Sequence, residues 1–290
     1  MRVLIYNNTM GFHCGSDAVM AVLTERLSKE AHQIVGLVPN VPLEYAPFVE
    51  MLSRPYDALV INGEGTLHHD SPGAKRISAV AEHCIRQGKQ VYLINSVWQE
   101  NTCFPLALLE ALSGVSVREE MSRREIERFG FGGARRVLDL SYFCDCPEDI
   151  SPAASDHTEV EMITDLFLPE AGFVVPPAEL QRGRRYVSLK EVTWQQCVGR
   201  FRQATMVVTG RHHAVYAACK ARTPFAAMRG NTHKIEGLIL GSGIDIPVAQ
   251  APRDLEAVIA WCRNNPAAFE DLFDWMAAQT PWRGLSEFDS

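Results

Sequence analysis

The chain has 290 residues, 47% of them hydrophobic and 22% charged, with a formal net charge of −7. Such a composition belongs to a globular protein with room for one large or two ordinary α/β domains. The acidic balance argues against a surface that coats nucleic acid, while leaving room for a local basic pocket.

The first apolar run, RVLIYN, enters a glycine-bearing loop, GFHCGSDAVM, and then a helical pattern, SDAVMAVLTERLSKEAHQI. Strand-like runs QIVGLV, DALVING and QVYLINS follow, and VSVR precedes the charged helical stretch EEMSRREIERFGF. Short apolar runs alternating with helical patterns predict parallel strands joined by helices. The segment CDCPEDISPAASDHTE, rich in Pro, Ser and Asp, interrupts this rhythm and reads as a linker. A second series then runs through EVEMITDLF, RYVSLKEV, ATMVVTG, PFAAM and IPVA. The expected organisation is an N-terminal domain over 1–150 and a C-terminal domain over 151–290. The amphipathic stretch at the end, broken near Pro266, is expected to return as a helix to the first domain.

The eight cysteines form no pair of C-x-x-C units, so no structural zinc site is expected, and their scatter is not a secreted disulfide framework. No apolar run approaches the ~18 residues that span a membrane, and the start lacks a signal-peptide pattern. The chain therefore reads as cytoplasmic.

Parallel α/β sheets bind ligands beyond the carboxyl ends of their strands, so the polar residues just past each apolar run are the candidates. After the first strand these are His13 and Asp17, fit for acid–base work, although Ser16 or Asp17 also suits a plain N-cap. NGEGTLHHD places Glu64 between glycines at a strand edge. His68, His69 and Asp70 offer metal-ligand types there, but adjacent histidines usually diverge, and no metal is assigned. Arg118 ends another strand, either as one half of an ion pair with a glutamate or as an anion clamp. Lys234, in NTHKIEGLI, carries the same ambiguity.

MVVTGRHHAVYA sets Arg211, His212 and His213 where an apolar strand turns into a helix. A helix start favours acidic residues, by roughly 0.3–1 kcal/mol each, so a cation there conflicts with the backbone dipole. Either an acidic neighbour holds Arg211, or a bound phosphate or carboxylate does. On the second reading, Arg211→Ala removes an unfavourable charge and leaves the ligand-free protein no less stable.

In this order, Gly15-Ser16-Asp17, Asn62-Gly63-Glu64-Gly65, Val117-Arg118-Glu119 with Ser122, Arg211-His212-His213 and Lys234-Ile235-Glu236-Gly237 resemble the polysaccharide pyruvyltransferase family. The resemblance implies an α/β fold of two Rossmann-like domains, similar to glycosyltransferase B, around a cleft. It implies transfer of an enolpyruvyl unit from phosphoenolpyruvate to a sugar, giving a pyruvate ketal. Asp17, Glu64 and His213 would then be catalytic, and Arg118, Arg211, His212 and Lys234 would hold the donor, with no further cofactor. The partners implied are a small-molecule donor and a sugar or glycan acceptor, with a peripheral contact to a lipid-linked acceptor left open. A glycosyltransferase using a nucleotide-activated sugar, CMP-linked for instance, is the alternative. A non-catalytic carbohydrate-binding relative is a third reading, disfavoured because acid and base candidates occur together.

Overall fold

The computed structural model describes residues 1–147 and 160–288. They fall into unit 1, comprising Met1–Thr9, Met20–Leu140 and Thr280–Ser290, and unit 2, comprising Met10–Val19 and Ser141–Gln279.

Unit 1 is built on six strands: β1 (Arg2–Tyr6), β2 (Gln33–Val38), β3 (Ala58–Glu64), β4 (Gln90–Ser96), β5 (Gly114–Val117) and β6 (Arg135–Arg136). They lie in the order β2-β1-β3-β4-β5-β6 with every pairing parallel. The connecting helices are α1 (Cys14–Lys29), α2 (Ala46–Ser53), α3 (Pro72–Arg86), α4 (Leu106–Glu110) and α5 (Glu120–Arg128). All seven residues of β3 are buried, as a central parallel strand covered on both faces requires. Its Leu59 and Ile61 pack with Leu4, Tyr6, Val91 and Leu93 and with Ile77, Val80 and Ala81 of α3. The start of α3 is fixed by Ser71, whose hydroxyl accepts the Ala74 N–H at 3.1 Å, and by Pro72 as its first residue.

Unit 2 carries a second parallel sheet of β7 (Val160–Ile163), β10 (Arg184–Tyr186), β11 (Ala204–Thr209), β12 (Phe225–Met228) and β13 (Val248–Ala249), ordered β10-β7-β11-β12-β13. Between β7 and β10 stands an antiparallel hairpin of β8 (Leu166–Leu168) and β9 (Gly172–Val174), followed by the short α6 (Ala178–Gln181). The remaining helices are α7 (Trp194–Phe201), α8 (His212–Ala221), α9 (Lys234–Ser242), α10 (Leu255–Asn264) and α11 (Pro266–Ala277). Thr193 and Gln196 close a reciprocal capping box at the start of α7.

Two expectations are corrected. The run EVEMITDLF is not one strand: it ends β7 at Ile163, and Thr164 and Asp165 turn it into β8. The C-terminal helices α10 and α11 stay with unit 2, and what groups with unit 1 is Thr280–Ser290, which includes a 3-10 turn over Leu285–Phe288. The anchor of that tail is polar: the Glu30 carboxylate accepts the backbone N–H groups of Leu285 at 2.7 Å and Ser286 at 3.1 Å. The chain changes unit between Leu140 and Ser141, whereas the expected boundary at residue 150 and most of the linker, residues 148–159, lie outside the described residues. Among the described residues no helix is long and apolar enough to cross a membrane.

Among the described residues of unit 1 the most deeply buried charge pair is internal to the fold. Arg118 Nη1 donates to Asp139 Oδ2 at 2.7 Å, and the two side chains are 1% and 0% exposed. Removing one partner strands the other in a medium that cannot solvate it. Arg118→Ala is therefore expected to cost about 3–5 kcal/mol in chemical denaturation, and Arg118→Ala with Asp139→Asn to recover part of that loss.

Candidate functional site

In unit 2 the carboxyl ends of β7, β11 and β12 lie side by side. Thr164, just after β7, and Thr209, the last residue of β11, meet through their hydroxyls at 2.5 Å. Gly210 follows, with its backbone against the hairpin: a Cβ there would approach Phe167 N to 2.8 Å and Leu166 Cα to 2.9 Å. Only glycine fits this close approach.

Arg211 is the N-cap residue of α8, and an acidic neighbour holds it. Its Nε donates to Asp165 Oδ2 at 2.7 Å, its Nη2 lies 2.6 Å from the same oxygen, and its guanidinium stacks 4.2 Å from the centre of the Phe173 ring. The Tyr186 hydroxyl donates to the other oxygen of Asp165, and burial together with that bond pushes the phenol up to about 12. The conflict between Arg211 and the start of α8 is thus resolved inside the protein. The negative charge the helix start favours comes from the end of β7 instead of the helix's own first turn.

His212 and His213 are both buried in the first turn of α8. The His212 ring packs 4.6 Å from Tyr216, one turn along, which places it in the helix's packing face. His213 turns instead to the loop after β1, where its ring lies 5.0 Å from that of His13. Gly15 allows this, since a methyl group at that position would collide with Cβ and Cγ of His213. His13 caps α1: its Nδ1 accepts the Ser16 N–H at 3.2 Å, so in the neutral ring the proton sits on Nε2. Asp17 is exposed and accepts the Gly11 N–H at 2.7 Å, bracing the loop that carries His13. Lys234, the first residue of α9, is buried, and its ammonium donates to Asn231 Oδ1 at 2.7 Å.

Glu64 and Arg118 belong to unit 1. Glu64 ends β3 in a left-handed conformation with φ +38°, and its carboxylate lies 3.5 Å from Asn62 Nδ2. Asn7, just after β1, and Asn95, in β4, are also left-handed, at φ +62° and +59°. Three adjacent strands thus carry non-glycine residues in a conformation that costs on the order of 1–3 kcal/mol when unsupported. Hydrogen bonds supply the support: Asn7 Nδ2 reaches Thr66 Oγ1 at 3.1 Å, and Asn95 Oδ1 accepts the Leu140 N–H at 3.2 Å. The Arg-Glu-x-x-Ser segment has a structural account. Arg118 pairs with Asp139, and Glu119 caps α5 by accepting the N–H groups of Met121 at 2.7 Å and Ser122 at 3.0 Å.

With this geometry, the chain can be compared with solved structures. It aligns with the S. aureus MnaA–UDP co-structure at TM-score 0.61 and 11% identity, over 99% of this chain and 94% of that one. The UDP-GlcNAc 2-epimerase of Methanocaldococcus jannaschii aligns at TM-score 0.59 and 12% identity, over 91% and 93%. The glycotransferase of kitacinnamycin aligns at TM-score 0.53 and 12% identity, over 99% and 96%. The fold is glycosyltransferase B-like. It consists of two Rossmann-like domains, in agreement with the α/β class expected from the sequence. No family model and no curated protein matches the sequence.

Asp165, Phe173 and Tyr186 were not singled out in the sequence. The polar pair Thr164-Asp165, breaking an apolar run, is the signal that marks Asp165 as a strand-end residue. The pairing reverses the stability expected of Arg211→Ala. With Asp165 left in a largely buried position, the substitution is expected to destabilise the protein by about 3 kcal/mol. Urea denaturation of Arg211→Ala, Asp165→Asn and the double variant measures it, and the pair is established if the double variant is more stable than the two single losses added together.

Proposed function

We propose that the chain is a transferase that takes a sugar from a nucleotide-activated donor and passes it to a sugar or glycan acceptor. The observation that carries this reading is the end of the unit 2 sheet. Neighbouring parallel strands β11 and β12 each run into a helix, α8 and α9, and the two helices pack together. The first N–H groups of a helix have no acceptor within it and suit phosphate oxygens. Two such helix starts side by side match two linked phosphoryl groups, and the buried Lys234 brings a positive charge to one of them. The fold neighbours named for UDP and UDP-GlcNAc support a nucleotide donor. In unit 2 the proton-transfer candidate is His213, and in unit 1 it is Glu64. Asp17, committed to Gly11, braces the loop.

Pyruvyl transfer from phosphoenolpyruvate is the second reading. The order of the five motifs and the buried Lys234 favour it. Against it, the guanidinium that would fork onto the donor is already engaged by Asp165.

Thermal-shift titration with UDP, CDP, CMP and phosphoenolpyruvate separates the two. A nucleoside diphosphate at a hundred times its Kd is expected to stabilise the protein by about 2.7 kcal/mol. Lys234→Ala should weaken that binding at least tenfold. Stabilisation by phosphoenolpyruvate alone would establish the pyruvyl reading, and no response to any of the four would remove both.

A further inference from the structure

The loop after β3 brings two histidine rings together. His69 and Asp70 adopt left-handed conformations at φ +50° and +47°, and Glu100, across from them, does so at +51°. The loop is zipped to the segment after β4: His69 N–H donates to Gln99 O at 2.8 Å, and Gln99 N–H donates to Leu67 O at 3.2 Å. Asp70 completes the zipper. Its carboxylate accepts the Thr102 N–H at 2.7 Å, the Thr102 hydroxyl at 2.5 Å and the Cys103 N–H at 2.8 Å. These bonds hold its carboxyl well below the usual carboxylate range and leave it a structural anchor.

The backbone reversal at His69 does what consecutive histidines on a strand or helix cannot do. The Nδ1 atoms of His68 and His69 face each other at 3.0 Å, with ring planes at 79°. The other nitrogen of His69, Nε2, lies 3.4 Å from Glu100 Oε2. A proton on Nε2 directed at that carboxylate leaves Nδ1 of His69 with its lone pair turned toward His68. Histidines that ligate metals commonly donate their second ring N–H to a carboxylate in this way, which fixes the tautomer and raises the basicity of the ligating nitrogen.

We propose that His68 and His69 form a two-imidazole site for a divalent transition-metal ion, with Glu100 orienting His69 from behind. Two nitrogens each about 2.0–2.1 Å from one ion lie about 2.9 Å apart when they are cis at a right angle, and about 3.4 Å apart in a tetrahedron. The 3.0 Å separation fits the first case. That geometry, with neutral nitrogen donors, selects Cu(II) or Ni(II) over Zn(II). Both rings sit in the partly exposed part of the loop, so water can fill the remaining positions. As the ion binds, His68 changes tautomer, its proton passing from Nδ1 to Nε2 by way of solvent, so both donors remain neutral imidazoles and no electron is transferred.

The test is titration of the full chain with CuCl2 by calorimetry, together with electron paramagnetic resonance of the one-equivalent sample. The expected result is one ion per chain in a signal split by two nitrogens, with that binding lost in His68→Ala/His69→Ala. Glu100→Gln, which keeps shape and removes the charge, is expected to lower the affinity about tenfold or more. Circular dichroism confirms that the variants fold. Absence of stoichiometric Cu(II) uptake overturns the proposal, and so does a double variant that binds the ion as tightly as the parent.

Discussion

The carboxylate of Asp165 is the hub of the unit 2 sheet edge. It receives the guanidinium of Arg211 from the turn after β11 and the hydroxyl of Tyr186 from β10, so three strand ends are tied to one side chain. Phe173 covers the guanidinium from the β8–β9 hairpin, which extends the same tie to a fourth segment. A charge this enclosed is tolerable only when fully partnered, and the partnering dictates where the hairpin, the start of α8 and the Thr164–Thr209 contact must lie. Where His213 stands follows from that, since α8 has little freedom once its N-cap residue is held at both backbone and side chain.

Unit 1 meets the same problem with other means. Its strand ends are closed by amides: Asn7, Asn62 and Asn95 satisfy neighbouring backbone and hydroxyl groups, and Arg118 and Asp139 neutralise each other beneath them. Amides are acceptors and donors without charge, so the edge stays polar at small electrostatic cost. The left-handed turns at Asn7, Glu64 and Asn95 re-aim the chain where the strands stop, and they mark this edge as over-determined by its surroundings.

The alternation of apolar runs and helical patterns carried the fold, because buried parallel strands need continuous apolar sequence and that pattern survives without any knowledge of partners. What escaped were elements with little such signal: β6 has two arginines, and β9 has three residues in a hairpin that hydrogen bonds alone define. The candidate site was legible as a set of positions and illegible as a set of relationships. Arg211 stood out for the right reason, an electrostatic conflict. Its resolution by Asp165, 46 residues away in sequence, depends on which strands neighbour each other, and no local spacing encodes that. In the same way His68 and His69 were set aside on the rule that adjacent side chains diverge, and one positive φ suspends the rule.

The division of the chain has a consequence for how the protein is made. Unit 1 needs both the first nine residues and those from Thr280 onward, and unit 2 needs Met10–Val19 as well as residues 141 to 279. Neither unit is contiguous. While the ribosome is still extending the chain, the Glu30 carboxylate waits for donors more than 250 residues downstream, on Leu285 and Ser286. Domain-by-domain folding during synthesis, available to a protein of two tandem modules, is incomplete here until the residues after Thr280 have emerged. Leu285 and Ser286 therefore act as a latch on a segment made long before them, and Glu30 is the catch it closes on.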